Sequence, residues 1–307
     1  MSLKPILKYE EEQRQKANFW ASDYGKLGID LHLALKGVET TNKPVWSDTL
    51  KWEAGKGVEL GMLNILKANG IVDPDYNQED YGRVEKDIDG LKITGKCDAR
   101  IKKGGAKMEF NNSIMPESVT IELNEGEPIE VKSINNKNSF DIQSYIDDKP
   151  RESYVGQLAV YLDILGLERG HLFVASIDGL SYFWFPCEKI GDGIYKAGDT
   201  VVNVKEEYKR WKSILDNLEN EPNWTEELYK LPVEQVKWNE LSVSKISSAR
   251  NNKAVVGSEN GWKIQYSPYK NLIVEKQGVQ LGYTDEELAK IRELTAGYSS
   301  KKSKTDE

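Results

Sequence analysis

The chain predicts an α/β (mixed α+β) fold in which a central mixed sheet is flanked by helices, with a small extension at the C-terminal end. Three observations carry this expectation. The first 70 residues have helical periodicity, strand-like alternation occupies residues 83–134, and a second block of helix followed by strands begins near residue 150. Nothing repeats within the 307 residues, and one large domain with an appendage suits that length better than two equal domains. The expected division is residues 1–220 for the main domain and 221–307 for the extension.

Within the first block, residues 5–20 and 24–36 read as amphipathic helices. A third helix runs from Ser47 or Asp48, the N-cap candidates, to the stop signal Asn69-Gly70. The period then changes to two. "RVEKDIDGLKITGKCDARI" alternates on both sides of Asp89-Gly90, a strong hairpin signal, and Gly104-Gly105 ends the hairpin. A less regular piece leads to "SVTIEL", the turn "NEGEP" and the strand "IEVKSI". Residues 135–149 are rich in Asn and Asp and read as a polar loop. A helix follows over residues 150–166, with Val155, Leu158, Ala159, Leu162 and Leu165 on a broad apolar face. "GHLFVASID", a turn at Gly179 and "SYFWFPC" make a strand pair, and a long helix spans residues 200–218. Beyond Glu221 the pattern weakens. Residues 224–253 are broken and polar, "GWKIQYSPYKNLIVEKQGV" reads as a small hairpin, "TDEELAKIRELTAGY" as a capped helix and "SSKKSKTDE" as a solvated tail.

Composition removes several classes of chemistry. Cys97 and Cys187 form no CxxC pair, which argues against a disulfide framework or a structural zinc site. His32 and His171 are the only histidines and read as surface or core residues. No apolar run approaches the roughly 20 residues needed to cross a bilayer, and the start "MSLKPILKYEEEQRQKANFW" has no signal-type apolar core, so the expectation is a cytoplasmic protein without a membrane partner. A net charge of −8 argues against a protein that coats nucleic acid non-specifically, but leaves room for a locally basic cleft. Residues 91–107 offer one: Lys92, Lys96, Arg100, Lys102, Lys103 and Lys107 surround a single acid, Asp98.

The strand "IEVKS" raises the central question. Alternation sends Ile129 and Val131 to one face and Glu130 and Lys132 to the other. Most such Glu-x-Lys pairs are solvated surface pairs worth about 0 to 1 kcal/mol. Here Asp98 lies in a preceding strand of the expected sheet, where two carboxylates can meet. Carboxylates that close repel unless a cation separates them, and an open site of oxygen ligands suits Mg²⁺ or Mn²⁺. Lys132 beside such a cation can stabilise a phosphate oxyanion or orient water. Gln157 and Tyr161 share a helix face, and Glu59 follows Gly55 and Gly57 in "EAGKGVELGMLNIL", where glycines in a helix hint at a close backbone approach.

Taken in order, "GKGVE", "GKCDARI", "IEVKS" and "QLAVY" resemble the motifs of the PD-(D/E)xK nuclease superfamily, in particular its RecB-like, phage lambda exonuclease-like branch. The resemblance covers residues 20–185, including "YLDILGLERGHLFVAS" as the helix-to-strand step. It implies a restriction-endonuclease-like core. It also implies Asp98, Glu130 and the Val131 carbonyl as metal ligands, with Glu59 near the metal and Glu53 as the weaker candidate for that place. Lys132 would be the catalytic lysine, and Gln157 and Tyr161 active-site residues touching nucleic acid. Lys96, Arg100, Lys102 and Lys137 complete the expected nucleic-acid contacts.

The activity so implied is a metal-dependent deoxyribonuclease, of phage type and exonucleolytic, in DNA recombination, repair or end processing. An endonuclease of the same fold and a non-catalytic DNA-binding or complex-organising protein are the alternatives. The sequence departs from the pattern in three places. Two cysteines cannot build the iron–sulfur cluster of several relatives, so no iron–sulfur cluster is expected. Ser176 or Ile177 stands where a lysine often follows the "FV" strand. No G-x-x-x-x-G-K-[ST] occurs, so no nucleotide cofactor is expected and any unwinding falls to a partner. Single-stranded or duplex DNA ends are the expected ligand. A helicase or annealing protein, and a second copy in a homo-oligomer, are the partner classes left open.

Overall fold

The computed structural model describes residues 18–42, 46–110, 119–134, 139–177, 181–222 and 261–277, together with Glu286, Ala289 and Glu293. They fall into two compact units. Leu27–Lys43 group with Asn217–Glu307, whereas Lys16–Lys26 and Pro44–Asp216 form the larger unit. The sequence places the whole of residues 1–220 in one domain, so, among the described residues, 27–42 and 217–220 are the difference.

In the smaller unit, α1 (Gly28–Leu35) accompanies Gly261–Tyr266 and Lys270–Gln277, numbered α7 and α8 below. The last two replace the hairpin expected there. Ile264 and Ile273 are fully buried with Leu27, Ile29, Leu33 and Tyr269, which is the driving force for helices at this spacing. Pro268 separates them, and the Ser267 hydroxyl accepts from Tyr269 N at 3.0 Å to start the second. Glu286, Ala289 and Glu293 are helical. Residues 224–253 and the tail lie outside the described residues.

The larger unit is mixed α+β. Its helices are α2 (Trp46–Ala68), α3 (Gln78–Tyr81), α4 (Ser139–Ile146), α5 (Glu152–Leu165) and α6 (Val204–Asp216). The strands are β1 (Phe19–Trp20), β2 (Arg83–Ile88), β3 (Leu91–Lys96), β4 (Ala99–Arg100), β5 (Ala106–Phe110), β6 (Val119–Leu123), β7 (Pro128–Ile134), β8 (Arg169–Ser176), β9 (Tyr182–Gly191), β10 (Ile194–Ala197) and β11 (Thr200–Asn203). Instead of one sheet they build three: β11-β10-β9-β8-β7-β4, β1-β3-β2 and β5-β6. The six-stranded sheet is mixed, since β7 and β8 run parallel while β4, β9, β10 and β11 join antiparallel. The parallel pair needs a crossover, and α4 and α5 supply it.

Several elements depart from the sequence reading. Residues 5–17 of the first expected helix lie outside the described residues, and at its end Phe19–Trp20 is a strand parallel to β3, held where Phe19 stacks on Trp211 at 5.2 Å between ring centres. The helix α2 already runs at Trp46, so Ser47 and Asp48 lie within it rather than capping it. The expected loop over residues 135–149 contains α4, whose buried Tyr145 stacks on Phe183 at 5.4 Å. The helix expected from Thr200 starts at Val204 instead. The β-branched Thr200–Val202 pair with β10, and Asn203 Oδ1 caps the helix by accepting from Lys205 N and Glu206 N. The piece after Gly105 is a strand, β5, paired along its length with β6.

Other elements match. Asp89 (φ 52°) and Gly90 (φ 82°) form the left-handed two-residue turn that the β2–β3 hairpin requires. Gly70 and Gly166, both at positive φ, end α2 and α5. No helix among the described residues is long and apolar enough to cross a membrane.

Candidate active site

The strand β7 separates two environments. Ile129 and Val131 join a core with Leu66 of α2, Tyr76, Phe173 and Trp184. Glu130 and Lys132 point the other way, yet they are not solvated. Glu130 is 1% exposed and the Lys132 side chain 19%. The surface-pair reading of this Glu-x-Lys is therefore excluded by burial.

Asp98 reaches Glu130 by a route the sequence does not display. It lies in the gap between β3 and β4 rather than within a strand. The strand β4 pairs Ala99 with Ile129 and Arg100 with Pro128, and then stops. The amide of Val131 thus lacks a strand partner on that edge, and Asp98 Oδ2 accepts from it at 2.7 Å. The other carboxylate oxygen accepts from Gln78 Nε2 at 2.7 Å. Glu59 approaches from α2, whose Gly55 lies so close to β7 that a Cβ there would come within 2.8 Å of Ser133 Oγ. Gly57 has open space instead, so only the first glycine reports a close approach.

Electrostatics follow from this crowding. Burial first, and then the Asp98 carboxylate, push Glu130 up to about 8 against the pull of Lys132. Asp98 is raised by burial, with Lys132 and the Val131 amide opposing. Glu59 is raised by burial and by Asp98. Burial disfavours the Lys132 ammonium, but Glu130, Asp98 and Glu59 outweigh it and hold the group above its ordinary range. The opposite signs have one cause: three carboxylates share one ammonium. Lys132 is the ion-pair partner of Glu130 Oε1, and both Glu130 oxygens are buried. The Lys132 ammonium also lies 5.6 Å from the centre of the Tyr154 ring.

Gln157 and Tyr161 do come together, inside the protein. Gln157 Nε2 donates to Tyr161 Oη at 2.7 Å, and Tyr161 Oη donates to the Lys96 carbonyl at 3.1 Å. Tyr161 is 2% exposed and lies across Gly95, where a Cβ would stand 2.4 Å from its ring. In this arrangement the pair fixes the end of β3, immediately before Asp98. The basic residues are dispersed. Lys96 pairs with Glu79 at 2.6 Å, Arg100 is half-buried beside Cys97, and Lys102 Nζ lies against Gly70 at the end of α2. Lys137 lies outside the described residues.

Sequence reasoning missed Glu127, three positions before Glu130. It accepts from Arg169 Nε at 2.9 Å, from Asn124 N at 2.8 Å and from His171 Nε2 at 2.9 Å. Trp184 Nε1 donates to His171 Nδ1 at 3.2 Å, so the ring carries its proton on Nε2 and is neutral. Burial lowers His171, in keeping with that tautomer. His171 is thus a core residue.

Among the described residues, no group of three or more His, Cys, Asp or Glu stands close enough to hold a metal ion. The donors that fit a cation are the buried Asp98 and Glu130 carboxylates, the latter now paired with Lys132, with Glu59 contributing from α2. Hard carboxylate oxygens in excess over cationic side chains suit Mg²⁺ or Mn²⁺.

No family model matches the chain, and no curated protein does. Solved structures similar to it include one of SSO0001, at 15% identity over 68% of this chain and 80% of that one, with a TM-score of 0.36. The alkaline exonuclease LHK-Exo from Laribacter hongkongensis is similar at 15% identity over 66% of this chain and 88% of that one, with a TM-score of 0.37. The same enzyme in complex with dAMP gives 14% identity over the same shares and a TM-score of 0.38.

Proposed function

We propose that the chain is a deoxyribonuclease that hydrolyses phosphodiester bonds at Asp98, Glu130 and Lys132 with Mg²⁺ or Mn²⁺, and that it acts on DNA ends in the cytoplasm. One observation carries the reading: two buried carboxylates, Glu130 and Asp98, with Glu59 near them, share a single ammonium, that of Lys132, which pairs with Glu130. Three buried or half-buried carboxylates around one ammonium are suited to a divalent cation. Bound there, the cation would supply Lewis-acid stabilisation and a water of lowered pKa.

The chain's own residues have separate tasks. Asp98 and Glu130 would hold the cation, with the Val131 carbonyl as the main-chain ligand that the family resemblance implies. Lys132, released from Glu130, would steady the phosphate oxyanion or orient the attacking water, while the Tyr154 ring limits where its ammonium can go. Gln157 and Tyr161 act one step back, through the Lys96 carbonyl, by holding the chain that leads into Asp98.

End-labelled linear DNA and covalently closed circles, each with Mg²⁺, Mn²⁺ or EDTA, test the reading. Metal-dependent release of nucleotides or short fragments from linear DNA, with circles persisting, is expected. Cleavage undiminished in excess EDTA would end the metal reading, and rapid cutting of closed circles would make the enzyme an endonuclease. Asp98→Ala and Glu130→Ala should abolish cleavage. Lys132→Ala should retain metal but lose on the order of 10² to 10³ in rate, the scale for one preorganised electrostatic group. A collapse of metal affinity in Lys132→Ala would make that lysine structural.

A further inference from the structure

Asp98 is the site carboxylate that sits on neither a strand nor a helix, so something else must hold it. Residues 76–82 bracket residues 96–98. Tyr76 Oη donates to the Cys97 carbonyl at 3.2 Å, and Cys97 N donates to the Gly82 carbonyl at 2.8 Å. Glu79 pairs with Lys96 at 2.6 Å. Gln78 Nε2 donates to Asp98 Oδ1 at 2.7 Å. The bracket is tight: a Cβ on Gly82 would lie 2.5 Å from the Cys97 carbonyl and 2.7 Å from that of Gln78. Asn77 caps the short helix α3 by accepting from Glu79 N at 2.9 Å, which sets Gln78 as its first residue.

We propose that Gln78 is a positioning residue for Asp98: its amide pins Oδ1 while the Val131 amide pins Oδ2, and the two together set the carboxylate plane beside Glu130. A carboxylate has about four acceptor positions, so two donors still leave lone pairs for a cation. The donor is neutral, unlike a lysine or arginine in the same place, and therefore orients the group without cancelling its charge. This inference rests on the nuclease reading and adds to it a residue on α3, which none of the motifs includes.

The test is Mn²⁺ binding by titration calorimetry, with steady-state cleavage of linear DNA, for wild type, Gln78→Ala and Gln78→Met. Gln78 is half-buried, and Gln78→Met keeps the side chain's bulk without its amide, so at least one variant should melt close to wild type. Both should lose about 10- to 100-fold in Mn²⁺ affinity, as when an outer partner of a metal ligand is removed, and kcat should fall with KM for DNA unchanged. Unchanged Mn²⁺ affinity and kcat in a folded variant would overturn the positioning role and leave the nuclease reading standing. A rise in KM alone would overturn it too, by making Gln78 a DNA contact. Wild type that binds no Mn²⁺ would remove the metal reading and this inference together.

Discussion

Glu127 and Glu130 are both buried on β7 or at its entrance, and their surroundings treat them in opposite ways. Burial alone would raise Glu127, but hydrogen bonds from His171, Arg169 and Asn124 hold it down to about 2. Glu130 has only the Lys132 ammonium to oppose burial and the Asp98 carboxylate, and is pushed up to about 8. The consequences for stability have opposite signs. Glu127 contributes stability that is present above the ordinary glutamate range and is lost as pH falls toward about 2. Glu130 keeps a proton in the folded state that the unfolded chain releases, so metal-free protein loses stability as pH rises from the ordinary range to about 8. Urea unfolding in EDTA at pH 6 and pH 8 should therefore show a steeper loss for wild type than for Glu130→Gln. Parallel pH slopes would contradict this account of Glu130. Glu127→Gln should cost about 1 to 3 kcal/mol at neutral pH, because the amide NH2 then faces donors that the carboxylate oxygen accepts from. A neutral effect would show the network to be dispensable. Glu130 and Lys132 were legible because charged residues on an otherwise apolar strand demand an explanation, and Asp98 because it is the single acid of a basic stretch. Glu127 and Gln78 were not, because their roles depend on partners distant in sequence, such as His171 and Asp98.

Close approach between elements is what aims these side chains. The helix α5 is buried from Val155 to Leu162 and touches β3 through Tyr161 over Gly95. Gly156 of the same helix receives the Tyr24 ring, whose Cδ1 would be 2.1 Å from an added Cβ. Gly95→Ala should cost about 1 to 3 kcal/mol through overpacking, and much less in a Tyr161→Ala background. Equal costs in both backgrounds would mean that the helix yields rather than the strand. Elements whose ends carry local chemistry were readable: the Asp89-Gly90 hairpin, and the helices stopped by Gly70 and Gly166. Elements decided by tertiary partners were not. The strand Phe19–Trp20 exists through Trp211 and β3, and β11 exists through β10. The break at Cys97-Asp98 was hidden inside continuous alternation, although it is what frees the Asp98 carboxylate for the Val131 amide. "AKMEF" carried a usable alternation that the flanking glycines and lysines obscured.

For the whole molecule, a net charge of −8 means that attraction for DNA must be local. The expected basic stripe is divided among Glu79, the end of α2 and the neighbourhood of Cys97. Asp98, Glu130 and Glu59 instead crowd three carboxylates around the one Lys132 ammonium. A divalent cation would answer this crowding, and would convert the site from repelling phosphate to attracting it. The grouping of residues 27–43 with the C-terminal part was not legible, because the apolar face of α1 does not reveal which distant helices will cover it. The most direct measurement is a crystal of the full chain soaked in Mn²⁺ and recorded at the manganese absorption edge. An anomalous peak bound by the Asp98 and Glu130 carboxylates is expected, with Lys132 displaced from Glu130. A well-ordered site with no peak, Lys132 still paired with Glu130, would contradict that expectation.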